Sequence, residues 1–455
     1  MKTESQNTNA PYPLAEAIPQ DTLDAEANEL EQLRSKPLLS RLPVYMKMGG
    51  PGFMGAAATL GAGTLTAAML SGSQFGYKTL WISWVAIGTG LFMMAVMARF
   101  TTKGQFRVVE VQKERHGWFM GAVLTCLVGM VSVAVIFNFG QVALATHLIE
   151  TLASETGFDF PRTWNWPLYG LLTGWIALSY GRGGKRGVVF VENFMKISLL
   201  LMFLCFAGCL LVVGIDWSAA FKGFLIPWLP SGAAGIDLFI ASTAAAIGVL
   251  DWVFFHYTGL SKGWGPRHES LARNDLIVGF ALPFILINFV VVGVFAATLH
   301  GNGDLPTTAM ELSKALIPLL GETGAKFAFM IGFLAVPITT TVAMSIACAI
   351  GMHEAFGWRP DVRSWRWKFC ILVPQIALLG AWLPSPILLI IIIAAFLSLT
   401  NNIVGWSFFL LLNDPEVMKE NRSKSWIWNV GILLQITLLN CVAIMWVFNR
   451  LGYWG

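Results

Sequence analysis

Apolar residues run through this 455-residue chain in stretches longer than a soluble core needs, separated by short polar, basic or glycine-rich joints. A helix needs about 20 mostly apolar residues to cross the hydrocarbon layer. Runs near that length lie at about 53–72, 79–99, 117–146, 166–181, 187–214, 236–260, 275–299, 326–351, 368–383, 386–412 and 426–448. They predict an all-α polytopic membrane protein with eleven transmembrane helices, because a backbone in lipid must satisfy its own hydrogen bonds. The interruptions inside the runs carry the chemistry. Gly61 and Gly63 fall near the middle of span 1, with Ala62 between them and Thr64 beside them. Each glycine weakens a helix by about 0.8–1 kcal/mol relative to alanine. Asp251 stands at the centre of span 6, three residues after Gly248 and between Leu250 and Trp252. A carboxylate at mid-membrane costs about 2.5–3.5 kcal/mol on insertion scales, so it is expected to face a cavity, a partner or a substrate.

Composition agrees with the pattern: 56% of residues are hydrophobic and 12% charged, with a mean hydropathy of +0.64. Residues 1–48 stand apart. They scatter Glu4, Glu16, Asp21, Asp24, Glu26, Glu29 and Glu31 among polar residues and lack a signal-peptide core, which predicts a disordered, uncleaved cytosolic tail ahead of a membrane domain at 49–455. With that tail inside, 22 Lys and Arg fall on the cytosolic face and six on the other. The bias predicts a protein of the cytoplasmic (inner) membrane, N-terminus cytosolic and C-terminus on the outer face. Topology also accounts for the net charge of +4, leaving no case for nucleic acid. The lipid bilayer and a small solute or cation are the expected partners. All six cysteines lie in or beside apolar segments, which argues against an extracellular disulfide framework; Cys205 and Cys209, one turn apart, are read as packing. No cofactor and no protein-held metal are expected.

The spans divide into two five-helix repeats, about 50–214 and 236–412, plus an extra helix at about 426–448. An odd number of spans per repeat inverts one half relative to the other and makes spans 1 and 6 equivalent. Interrupted helices at matching positions of inverted repeats point to a midplane binding site. The predicted substrate-binding set is therefore Gly61, Ala62, Gly63, Thr64, Leu250, Asp251 and Trp252. His256 is either a proton shuttle or a hydrogen-bonded structural histidine. Asn138 and Gln141 of span 3 are candidates for the coupling or transport pathway. Glu192 and Lys196 have the i,i+4 order of a structural ion pair. Thr339, Thr340, Thr341, Thr400, Asn401 and Asn402 either line a path or join helices by hydrogen bonds. Enzyme signatures are lacking: the glycine-rich 181–187 segment has no Lys-Ser/Thr ending, and no second histidine follows His353-Glu354 at zinc-protease spacing.

Gly50-Pro-Gly-Phe, the break eleven residues further on, and Gly72-Ser-Gln-Phe-Gly-Tyr-Lys-Thr-Leu-Trp81 resemble span 1 and the following turn of the NRAMP divalent-metal transporters. Glu192, Thr258-Gly-Leu-Ser-Lys262 and Leu411-Leu-Asn-Asp414 also look like their counterparts in that family. The resemblance covers most of the chain after the tail and implies the LeuT-type fold. The family's metal motifs do not carry over. Gly61-Ala62-Gly63-Thr64 stands where the family has Asp-Pro-Gly-Asn, and Leu250-Asp251-Trp252 where it has Met-Pro-His. Span 3 offers Asn138 and Gln141 in place of the acidic groups that the family uses for proton movement.

The expectation is a secondary transporter working by alternating access, with a remodelled site unsuited to transition metals, which favour sulfur and imidazole ligands. A small organic cation or zwitterion is the first substrate class: span 1 amides for a carboxylate, Asp251 for an amine, Trp252 for a cation-π face. The alternative is a hydrated magnesium-like dication at Asp251, and a rival of another class is a non-transporting sensor or scaffold.

Overall fold

The computed structural model describes residues 18–451 except 34, 156, 158–159, 231–234, 237, 241–247, 302–316, 383–400 and 424. Its elements are helices, with no strand among the described residues. Helical segments occupy parts of all eleven predicted stretches; spans 6 and 10 are described mainly through their second halves, Val249–Ser261 and Asn401–Asn413. Among the described residues, six helices are long and apolar enough to cross a membrane, including Lys185–Val213 and Met330–Phe356, and a bent pair in span 1 brings the number up to 7.

That bent pair is the structural centre. Helix α3 (Pro51–Thr59) opens with proline in its first turn, where a missing N–H costs nothing. Leu60 (φ −74°, ψ 38°) and Gly61 (φ −69°, ψ 176°) then leave helical geometry, and α4 (Ala62–Phe75) restarts at an angle of 56°. Gly61 is thus the extended residue of the break, and Gly63 lies inside the first turn of α4. The span 6 helix starts afresh at Val249 after Gly248, which is extended at φ −132°, ψ −171°. Span 2 follows as α5 (Trp81–Arg99).

Every residue of α3 is buried, from Pro51 to Thr59. It packs against spans 5, 6 and 8 and against the start of span 7, while α4 lies along span 7 and span 3 along spans 8 and 9. Small residues permit these approaches. A Cβ on Gly72 would sit 2.6 Å from the Val292 carbonyl, closer than any real side chain tolerates.

The N-terminal segment departs from expectation. Residues 1–17 lie outside the described set, but the rest is helical: α1 (Gln20–Leu33) and α2 (Leu38–Met48). Ala27, Leu30 and Leu33 of α1 are buried. Their spacing of three residues builds an apolar stripe that the average composition of an acidic segment conceals. The disorder expected across 1–48 is therefore corrected for these two helices, while the disorder expected of 1–17 lies outside the described residues. Helix α1 forms because its apolar stripe and its acids find partners on the membrane domain.

Candidate functional site

The two interruptions meet at Asp251. The Thr59 hydroxyl, at the last residue of α3, donates to Asp251 Oδ1 at 3.1 Å, and the Gly248 N–H donates to Asp251 Oδ2 at 3.0 Å. One carboxylate thereby caps the first turn of the span 6 helix, where the backbone dipoles favour negative charge, and ties it to the end of α3. Its residue exposure is 8%.

Side chains from other spans satisfy the backbone that the breaks release. The Thr64 hydroxyl donates across the span 1 break to the Thr59 carbonyl at 2.7 Å. The Ala62 N–H donates to Gln141 Oε1 at 3.2 Å, and the Val249 N–H donates to Asn401 Oδ1 at 3.0 Å. Each half-helix that restarts after a break is thus capped by a carboxamide from a different span. The Thr339 and Thr340 hydroxyls lie 3.5 Å and 3.4 Å from the Ala57 carbonyl, so these threonines join span 8 to α3. Among the described residues, Gln141 Nε2 beside the Ala62 cap, Asn138 Oδ1 and Nδ2 one turn before it, and Asn402 Oδ1 next to Asn401 are buried without a hydrogen-bond partner. Buried polar atoms of this kind call for an occupant with polar groups of its own.

The structure therefore brings Gly61, Ala62, Gly63, Thr64 and Asp251 to one locus, with Gln141 reaching it from span 3 and Asn138 one turn earlier. Leu250 is buried in the first turn of the span 6 helix. Trp252 is fully enclosed, its ring centroid 6.5 Å from that of Phe408 in an edge-on contact, so this indole packs against span 10. His256 is engaged at both ring nitrogens: Nδ1 lies 2.9 Å from the Thr101 hydroxyl, and Nε2 lies 3.0 Å from the Phe106 carbonyl. Both ring nitrogens hold the connection between spans 2 and 3.

The expected Glu192–Lys196 pair is corrected. Glu192 receives Lys262 instead, both carboxylate oxygens lying 2.9 Å from Nζ, while Lys196 donates to the carbonyls of Met46 (3.0 Å) and Gly49 (2.7 Å). The i,i+4 spacing left out two competitors: a lysine arriving from the end of span 6, and the unpaired carbonyls at the end of α2. Nearby, Asp275 Oδ2 accepts the Gly52 N–H at 2.6 Å in the first turn of α3. Sequence reasoning assigned no part to Thr59 or Asp275 and left Asn401 between two readings. Asp275 had a signal, an acid as the first residue of an apolar run; a lone threonine such as Thr59 had none.

Gln141→Leu is expected to strand the buried Ala62 N–H and destabilise the fold by about 1–3 kcal/mol. Gln141→Glu keeps an acceptor and should recover much of that loss; thermal unfolding of the two variants in detergent checks the difference.

A broken span 1 and a restarted span 6 sharing one buried carboxylate are the arrangement of a LeuT-type membrane transporter. Residues 52–447 match the family described as Natural resistance-associated macrophage protein-like, and the chain belongs to that Nramp family. It is similar to the divalent metal cation transporter MntH of Chromohalobacter salexigens, 23% identical over 347 residues that cover 72% of this chain and 75% of the relative. It is also similar to MntH of Klebsiella pneumoniae subsp. pneumoniae, 21% identical over 421 residues covering 90% and 96%. Among solved structures, the Eremococcus coleocola manganese transporter in complex with an aromatic bis-isothiourea substituted compound superposes with a TM-score of 0.76 at 13% identity, covering 90% of this chain and 88% of that one. MhsT in complex with L-phenylalanine gives 0.56 at 13% identity, covering 88% and 98%. Both structures share the fold, and the fold is what positions the break.

Proposed function

We propose that this protein is a secondary transporter of a small hard cation, of the magnesium class, carried with part of its water shell through the junction of spans 1 and 6. The observation that carries the reading is the donor set. One carboxylate, Asp251, stands at a junction whose other polar groups are the Thr59 and Thr64 hydroxyls and the carboxamides of Gln141 and Asn401 that cap the two half-helices, with no group of three His, Cys, Asp or Glu that could hold a metal among the described residues. All-oxygen surroundings suit hard cations, and magnesium keeps several waters while binding only one or two carboxylates. Relatives are named as divalent metal cation transporters, which supports a cation as cargo.

The organic cation or zwitterion expected from the sequence loses two of its contacts. The Trp252 ring is set against Phe408, and the Ala62 N–H is taken by Gln141. Its remaining support is the single negative charge, which serves a metal ion equally well.

Alternating access follows from the break. Asp251 and Thr59 hold α3 and the span 6 helix together at the cargo site, while Glu192, Lys262 and Asp275 hold the cytosolic end of α3 closed. Release of that end opens the site inward.

The test is flux into proteoliposomes that enclose a magnesium-sensitive dye, with calcium, manganese and methylammonium as competitors. Magnesium uptake that manganese inhibits weakly is the expected result. Methylammonium uptake with no magnesium flux would return the organic-cation reading, and binding of either cargo without any flux would favour a sensor.

A further inference from the structure

We infer that helix α1 is a strap across the cytosolic mouth, docked on a basic surface made by the loops after spans 4 and 6, and that its release is coupled to the outward swing of α3. The inference rests on the alternating-access reading.

Two faces of α1 are engaged at once. Ala27, Leu30 and Leu33 are buried against the membrane domain, and Leu23 lies so close to Gly263 that a Cβ there would come within 3.0 Å of it. The acidic face meets basic residues from two separate loops. Lys185, the first residue of the span 5 helix, pairs with Glu26. Arg267, just beyond the span 6 helix, donates to Glu31 Oε1 at 3.0 Å, Asn28 Oδ1 at 2.6 Å and Asp24 Oδ1 at 3.4 Å. One guanidinium is thus committed to three residues on successive turns of α1, and α1 joins the cytosolic ends of spans 5 and 6. Inside that bridge the same two spans are joined a second time by Glu192 and Lys262.

Chain connectivity makes the strap mechanical. α1 leads through α2 into Gly49, Gly50 and α3 without any long linker, and Lys196 grips the carbonyls of Met46 and Gly49 at that joint. An outward swing of α3 pulls on α2 and hence on α1. The strap is built to yield: Arg267, Asp24 and Glu31 keep side-chain exposures of 43%, 53% and 50%, so water and salt weaken their attraction. A cavity of about 430 Å³ lies between α1 and the loop after span 6, lined by Leu23, Asp24, Ala27, Gln105, Trp264 and Arg267. The cavity leaves a gap beside the N-terminal half of α1, which Leu23 and Ala27 bridge, while Leu30 and Leu33 seat the other end.

The experiment uses full-length protein in nanodiscs with two readouts that need no transport. Nitroxide labels at Glu29 and Arg186 report docking of α1, and maleimide labelling of Ala56→Cys, on buried α3, reports cytosolic opening. Arg267→Glu is expected to broaden and lengthen the spin-label distance and to raise the labelling rate at least about fivefold. Combining Arg267→Glu with Asp24→Arg and Glu31→Arg reverses both charges of the contact and should restore docking and slow labelling, which a merely misfolded variant would not do. A distance unchanged by Arg267→Glu, or a released α1 with an unaltered labelling rate, overturns the strap. Labelling that follows α1 in a protein showing no flux of any cation leaves the strap standing and removes the transport reading instead.

Discussion

Asp251→Asn is expected to cut cation flux by about 100-fold or more while leaving the fold intact. A unit negative charge about 4 Å from a dication attracts it by roughly 8 kcal/mol at an effective dielectric constant of 20, before desolvation is counted. A third of that energy, about 2.7 kcal/mol, already corresponds to the hundredfold expected. Asparagine can put its one amide oxygen where Oδ2 accepts the Gly248 N–H and turn its NH2 to donate to the Thr59 hydroxyl, which reverses that bond, so the cap on the span 6 helix survives. Proteoliposome flux measured beside a thermal unfolding curve separates the two effects. A variant that transports at the wild-type rate would show that the carboxylate only caps a helix.

The second large effect is on stability. Lys262→Met leaves Glu192, 3% exposed at its side chain, without the ammonium on its two oxygens. Breaking a buried pair from one side costs about 3–5 kcal/mol, and Lys196 one turn away should hold the loss toward the lower end. Adding Glu192→Gln removes the stranded charge and should recover most of the stability. Thermal unfolding of the single and double variants measures this, and equal losses in both would mean that the pair contributes through packing rather than charge.

The positions of the breaks were legible because glycine and an isolated carboxylate are conspicuous against an apolar background. Gly61, Gly248 and Asp251 needed only the rule that lipid does not tolerate free backbone groups. The partners of those groups were not legible, since they come from spans far away in sequence: Gln141 to Ala62, Asn401 to Val249, Lys262 to Glu192. Local spacing ranks candidates on one helix, as it did for Glu192 and Lys196, and says nothing of a competitor delivered by tertiary packing. Trp252 illustrates the same limit from the other side. Its neighbour Asp251 faces the break, and a step of one residue along the helix turns the indole toward Phe408. The acidic helix α1 was hidden because charge content dominated a segment whose apolar positions, read at helical period, already formed a stripe.

If α3 swings as proposed, its length sets what can leave past it. Nine residues at 1.5 Å each make a lever of about 13 Å. Pivoting at Leu60 and Gly61 by about 30° would carry its far tip through roughly 7 Å, twice the lever length times the sine of half the angle. A magnesium ion within a single layer of water is about 7 Å across, from a metal–oxygen distance near 2.1 Å and a water radius near 1.4 Å. On the proposed reading, a rod this short would need only a modest rotation to clear an ion that keeps its inner water.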